Sequence, residues 1–244
     1  DCSSFVTVYS SVKDLPAVTV YQIIHNPFTH DQTFVVSAIP WFHIRAPGQL
    51  NETLWPELLN LKSPSHGHVV HGMVFKPPNF DPGRKYPTVL FVYGGPAVQI
   101  VTNSHKGIQF LRLQTLAMLG YVVLAFDCRG SFHRGKLFEG PLKNSLGCVE
   151  IGDQVEALLH VADQNNYIDI TRVAIHGWSY GGYLSLQGLI QRPDIFKVAV
   201  AGAPVTEWEA YDTGYTERYM NKPQNNPMAY RQSSVLNNAA QFPD

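Results

Sequence analysis

The stretch Arg172-Val173-Ala174-Ile175-His176-Gly177-Trp178-Ser179-Tyr180-Gly181-Gly182 constrains the fold of this chain more than any other. It opens with a short, β-branched, largely apolar run, the pattern of a buried strand. Beyond the glycines, Tyr183, Leu184, Leu186, Leu189 and Ile190 recur at helical spacing, so a helix follows. Ser179 therefore falls in a tight turn between a strand and a helix, where glycines at 177 and 181 let the two backbones approach. A serine held in such a turn exposes its hydroxyl, and the amide of residue 180 can face an oxyanion.

From residue 68 onward the pattern alternates between strand and helix. Residues 69–76, 88–93, 121–127, 172–176 and 197–201 read as strands. Residues 106–119 read as a helix with Ile108, Leu111, Leu116 and Leu119 on its apolar side, and 150–164 as another carrying Ile151, Val155, Leu158, Leu159 and Ala162. Alternation of this kind predicts β-α-β units in a doubly wound, mostly parallel sheet. A G-x-S-x-G turn at the end of such a strand belongs to the α/β-hydrolase architecture, in which the triad runs Ser, then Asp or Glu, then His. All ten histidines precede Ser179, and the 65 residues after it contain none. The expectation is a hydrolase domain over residues 66–244 that is C-terminally incomplete. His176, three residues before the serine, belongs to the strand and is no candidate for the base.

Residues 1–65 look different. Two β-rich runs, 5–9 and 18–24, flank the turn-like Lys13-Asp14-Leu15-Pro16, and residues 40–64 hold Pro and Trp without a sustained period. An isolated hairpin is marginal in water, so this region reads as the end of a β-domain whose remainder lies upstream.

Composition excludes several functions. At 244 residues, 45% hydrophobic, the chain has ample core material. Its 18 basic and 19 acidic residues form no basic stripe, so neither nucleic acid nor a membrane surface is expected as a partner. No apolar run reaches about 18 residues, the length a membrane-spanning helix needs. Cys2, Cys128 and Cys148 form neither a C-x-x-C pair nor an even framework, which points to a reducing, cytoplasmic setting. The sequon Asn51-Glu52-Thr53 would matter only in a secretory one. His66, His68 and His71 have no carboxylate or cysteine close by in sequence, so they read as a polar strand edge and not as zinc ligands. Neither a metal nor a cofactor is expected. Asp127-Cys128-Arg129-Gly130 reads as a positioning loop after a strand.

Two further constellations bear on the serine. Tyr93-Gly94-Gly95-Pro96 closes a predicted strand, where open α/β sheets expose residues to the ligand crevice. A backbone amide or the Tyr93 hydroxyl there could reach a developing oxyanion. Val205, Trp208, Tyr211 and Tyr215 follow the strand at 197–201, and 208, 211 and 215 are spaced to share one face of a helix. Beside the nucleophile strand they could wall a pocket suited to a compact ring such as proline.

Together, the elbow at Ser179, Tyr93-Gly94-Gly95-Pro96 and Tyr211-Asp212-Thr213-Gly214-Tyr215-Thr216-Glu217-Arg218-Tyr219-Met220 resemble the dipeptidyl peptidase IV branch of the prolyl oligopeptidase family. Within it they are most similar to the cytosolic dipeptidyl peptidases eight and nine. The likeness is close over residues 68–232 and looser over 1–65. It implies Ser179 as nucleophile, with the Tyr180 amide and the Tyr93 hydroxyl as oxyanion donors. It implies Tyr180, Val205, Trp208, Tyr211 and Tyr215 as walls of a proline pocket. It also implies that residues 1–65 are a β-propeller remnant and connector, that the triad Asp and His and a substrate-binding Asn lie beyond residue 244, and that the parent is homodimeric. Asp194 and Asp212 match no triad position.

The expected function of the parent is that of a serine peptidase releasing N-terminal X-Pro, or less readily X-Ala, dipeptides from peptides with penultimate proline, the segment alone being inactive. The alternative from another class is a truncated or decayed, non-catalytic protein that binds peptides without cleaving them. A generic esterase fits the aromatic pocket less well.

Overall fold

Near the N-terminus, alternating β-branched residues pair as antiparallel strands. In the computed structural model, which describes residues 3–26, 35–45 and 55–243, β1 (Ser4–Tyr9), β2 (Ala17–Asn26) and β3 (Val35–Arg45) form a three-stranded sheet in that order. Phe5 pairs with Tyr21 and their rings stack at 4.9 Å. Pro40, which offers no N–H to a ladder, lies in β3 at the sheet edge, where β2 shifts register between Val20 and Tyr21. Asp14 Oδ2 accepts from the Ser11 hydroxyl at 2.6 Å and closes the predicted turn. These strands and residues 102–111 make one compact unit. Cys2 and the Asn51 sequon lie outside the described residues.

The second unit comprises Pro56–Val101 and Arg112–Asp244. Its strands are β4 (Glu57–Lys62), β5 (Val69–Phe75), β6 (Tyr86–Val92), β7 (Val122–Asp127), β8 (Ile168–Trp178) and β9 (Phe196–Gly202). They form one sheet in the order β4-β5-β7-β6-β8-β9. The four strands from β7 to β9 run parallel, while β4 and β5 pair antiparallel at one side. The result is an α/β-hydrolase-like fold with a mixed, mostly parallel sheet. Its helices are α1 (Ile108–Met118, beginning in the first unit), α2 (Lys136–Glu139), α3 (Glu150–Gln164), α4 (Tyr180–Gln191), α5 (Thr213–Met220) and α6 (Pro227–Ser233).

Residues 122–126 of β7 are wholly apolar and buried, as expected for a central strand covered on both faces. Ile151, Val155, Leu158 and Val161 of α3 join the same core, whereas Leu159 stands exposed. In α1 the expected apolar face is turned outward: Ile108, Leu111 and Leu119 are exposed, and Phe110, Leu113 and Ala117 are buried. The helix is apolar on two sides, and the side carrying the large Phe110 ring is the one withdrawn from water. Among the described residues, no helix is long and apolar enough to cross a membrane.

Candidate active site

β8 ends at Trp178 and α4 begins at Tyr180, so Ser179 alone makes the turn. Its φ of 58° and ψ of −118° are costly for a residue with a side chain, and its neighbours hold it there. The Ser179 N–H donates to the Gly202 carbonyl at 2.9 Å, and its own carbonyl accepts from the Tyr183 N–H at 3.0 Å. A Cβ at Gly177 would collide with the carbonyl oxygens of Gly181 and Val92, and one at Gly181 with that of Val92. Only glycine permits strand, turn and helix to close this tightly.

Register then assembles the neighbourhood. Val92 of β6 pairs with Gly177, and Trp178 with Gly202 of β9. Tyr93, Ser179 and residues 203–205 consequently leave the sheet side by side at its C-terminal edge, where open α/β sheets bind ligands. Ser179 borders a hollow of about 250 Å³ together with Val205, Glu207 and Tyr211.

Tyr180 is the first residue of α4, where an N–H has no partner inside the helix and the helix dipole favours negative charge. The Tyr93 ring is half-buried, 6.0 Å from that of Tyr180. Burial, then the nearby phenols of Tyr211 and Tyr219, push the Tyr93 hydroxyl above its ordinary value, so at neutral pH it keeps its proton as a hydrogen-bond donor. Chemically the edge offers a strained, partly exposed serine at the N-terminus of α4, with the Tyr93 phenol leaving the neighbouring strand.

The aromatic residues converge as well, though not on one helix. Trp208 opens a 3-10 turn (Trp208–Ala210); the chain breaks at Tyr211 and Asp212, and α5 starts at Thr213. The Asp212 carboxylate caps α5 by accepting the Tyr215 N–H at 2.8 Å. Trp208 nevertheless stacks on Tyr215 at 6.0 Å and 12°, and meets Tyr211 edge-on at 5.8 Å and Tyr180 at 5.6 Å. Tyr211 is partly open to solvent, whereas Trp208 and Tyr180 are buried. The turn between the two short helices, rather than helical periodicity, brings these rings together.

Three neighbours are not singled out as site residues in the sequence. Tyr183 packs edge-on against Trp208 at 5.2 Å, and Tyr219 against Tyr215 at 4.9 Å. Glu150, at the start of α3, is fully buried and accepts the Tyr180 hydroxyl at 2.5 Å. An acid in the first turn of a helix is ordinary in sequence; its burial against residue 180 is a tertiary fact.

Other residues singled out in the sequence find different work. His176 lies on the sheet face, its Nδ1 2.8 Å from the Val200 carbonyl oxygen. Asp194 pairs with Arg192. Asp127 accepts the amides of Ile100 and Val101, and Arg129 grips Asp153 through two nitrogens, both positioning contacts. His68 meets the Phe138 ring edge-on and His71 bonds Asn60. Burial, above all, pushes the Cys128 thiol far up, and Cys148 is exposed and unpaired.

The chain is similar in sequence and fold to known proteins. Dipeptidyl peptidase 8 of Mus musculus is 48% identical over 245 residues, which take in 99% of this chain and 27% of that protein. Its counterpart in Homo sapiens is 49% identical over 242 residues, with the same coverage. The chain thus spans about a quarter of the length of these curated relatives. A crystal structure from Bacteroides ovatus, described as a candidate dipeptidyl aminopeptidase IV, superposes with a TM-score of 0.84 at 31% identity, over 98% of this chain and 32% of the other. The profile described as "Prolyl oligopeptidase family" matches residues 108–243, more than half of the chain and the whole segment from α1 through the elbow to α6. With strand order, elbow and aromatic cluster already in place, that match decides the affiliation: the chain belongs to the prolyl oligopeptidase family.

Proposed function

We propose that this chain carries the nucleophile half of a serine dipeptidyl aminopeptidase that removes N-terminal X-Pro, and less readily X-Ala, dipeptides. The observation that carries the reading is the meeting of Ser179, Tyr93 and the Tyr180 amide at one sheet edge beside the cluster of Trp208, Tyr211 and Tyr215. The names of the mammalian relatives support the dipeptidyl part.

In this mechanism the Ser179 Oγ attacks the carbonyl carbon of the second residue of the peptide. The oxyanion is held by the Tyr180 N–H and the Tyr93 hydroxyl, the amine leaves, and water hydrolyses the resulting ester. The proton passes through an imidazole supplied outside these 244 residues, since no histidine follows Ser179 here. A proline ring would sit among Tyr180, Val205, Trp208, Tyr211 and Tyr215, whose flat faces bury it without demanding a hydrogen bond.

The domain reading goes with this function. Residues 1–65 are the end of a β-propeller and its connector, the connector contributing β4 to the edge of the hydrolase sheet, and 66–244 are a hydrolase domain completed by further chain. Val198 and Val200 of β9 are each 54% exposed beside a hollow of about 540 Å³ lined also by Val89, Ala174 and Leu116. An apolar sheet face of that size supports the expectation of additional covering structure. The unpaired Cys148 supports a reducing, cytoplasmic setting. A homodimeric parent remains part of the proposal.

The test is Ser179→Ala in the full-length protein, assayed on an X-Pro amide and an ester of matched leaving group. Turnover of the X-Pro amide should vanish. Retained turnover refutes the nucleophile assignment, and hydrolysis of the ester with no turnover of the X-Pro amide in the unmodified protein refutes the proline pocket. Absence of activity in the unmodified full-length protein favours the peptide-binding alternative.

A further inference from the structure

We propose that Glu150 is a positioning residue, whose buried carboxyl group holds the phenol of Tyr180 and thereby both the pocket wall and the amide next to Ser179. The proposal rests on the reading of Ser179 as nucleophile and goes beyond it, because Glu150 touches no reacting atom.

The geometry is closed on every side. The Tyr180 hydroxyl donates to Glu150 Oε1 at 2.5 Å, and the Gly147 N–H donates to the same oxygen at 2.8 Å. The Val149 N–H donates to Oε2 at 3.0 Å. None of the ion pairs among the described residues includes Glu150; these three donors, its own backbone amide and the N-terminus of α3 offset its burial. Further along the ring, Gly95 leaves space that a side chain would fill: a Cβ there would stand 2.5, 2.7 and 2.9 Å from three ring carbons of Tyr180. Tyr183 and Trp208 close the remaining sides at 5.5 and 5.6 Å. A ring bonded at its far end and packed against Gly95, Tyr183 and Trp208 restrains the Cα of residue 180, and with it the direction of the N–H that follows the strained serine. Strained backbone persists only where its surroundings over-determine it. Glu150 contributes that constraint from 30 residues away in sequence.

A merely structural role, capping the turn at residues 147–150, makes a different prediction, and two variants separate them. Tyr180→Phe keeps the ring, the amide and both backbone bonds to Glu150, but removes the link. Glu150→Gln keeps one acceptor oxygen while setting an NH2 group against a backbone N–H. Both are made singly and together in the full-length protein, with kcat and KM measured on an X-Pro amide and the labelling rate measured with a fluorophosphonate probe. Each single change should lower kcat/KM roughly tenfold to a hundredfold, mostly in kcat, and slow labelling in proportion, since small misplacements of catalytic groups have effects of this size. The double variant should be no worse than the weaker single one, because both break the same link. Unchanged kcat/KM in Tyr180→Phe overturns the proposal even if Glu150→Gln fails to fold. So do effects that multiply in the double variant. Ser179→Ala serves as the companion measurement: if it abolishes turnover while Tyr180→Phe is unaffected, only the positioning role falls, whereas retained turnover in Ser179→Ala removes the nucleophile and the positioning role with it.

Discussion

Gly95→Ala is the smallest change that should disturb the site, and its effect can be worked from distances. The glycine does not need a left-handed conformation; it needs room. The added methyl would lie 2.5 Å from the nearest ring carbon of Tyr180, so about 1 Å of retreat is required to restore ordinary contact. The ring has little space to retreat into, with Trp208 at 5.6 Å and Tyr183 at 5.5 Å, and retreat pulls its hydroxyl from Glu150. Overpacking of a filled site costs about 1–3 kcal/mol and a weakened hydrogen bond to a charged group about 1.5–3. With partial relaxation the loss should be about 2–4 kcal/mol. Chemical denaturation of the full-length protein measures it, and a cycle with Tyr180→Ala isolates its cause. When the ring is absent the methyl has nothing to strike, so the coupling between the two positions should recover at least about 1 kcal/mol of the Gly95→Ala effect. A loss below about 0.5 kcal/mol, or one that persists unchanged in the Tyr180→Ala background, refutes the argument that Gly95 exists to admit this ring.

Three further outcomes are expected. Tyr93→Phe should lower kcat roughly 10²–10³-fold with little change in KM, the signature of a lost oxyanion donor; a change confined to KM would place the hydroxyl on bound substrate instead. Asp212→Ala removes the cap of α5 and should cost about 1 kcal/mol while raising KM for X-Pro substrates, because Tyr215 sits on the freed turn; unchanged stability and KM would show that the aromatic packing alone holds that ring. The Asp169 carboxyl, held down to about 2 chiefly by the Thr171 hydroxyl and then by the Arg172 guanidinium, contributes stability that is present above its unfolded value near 4 and is lost as pH falls through about 2. An acid titration of Asp169→Asn should therefore be flatter than that of the unmodified protein between pH 4 and 2, and superposable curves would contradict it.

Much of the second unit was legible in the sequence because its strands and helices announce themselves by local period. Residues 121–127 and 150–164 read as the strand and helix that occur at 122–127 and 150–164. Two strands escaped. β3 lies partly in the aperiodic stretch and carries exposed Ile39, Trp41, Phe42 and Ile44 along consecutive faces, so alternation gives no clue. β4 reads ELLNLK, with leucines at 58, 59 and 61, and acquires its strand identity from the antiparallel ladder with β5. The outward turn of Ile108 and Leu111 has the same origin: period shows that a helix has an apolar side, not which of two apolar sides the fold covers.

The site divides along the same line. Ser179 was readable because the elbow is built from consecutive residues, and the glycines that make it possible stand two residues to either side. Tyr93 and the aromatic cluster needed a further step, since their approach depends on β6, β8 and β9 sharing a register at their C-terminal ends; parallel order supplies that edge to any residue leaving a strand there. The spacing of 208, 211 and 215 suggested the right gathering for the wrong reason, as the chain breaks at Tyr211 and Asp212 between a 3-10 turn and α5 while the rings still meet. Glu150 was beyond reach because its meaning lies in what surrounds it. Exposed on α3, the same acid would be a helix-terminal charge of little consequence; buried against the phenol of residue 180, it ties the start of one helix to the start of another, across the residue whose hydroxyl the fold presents.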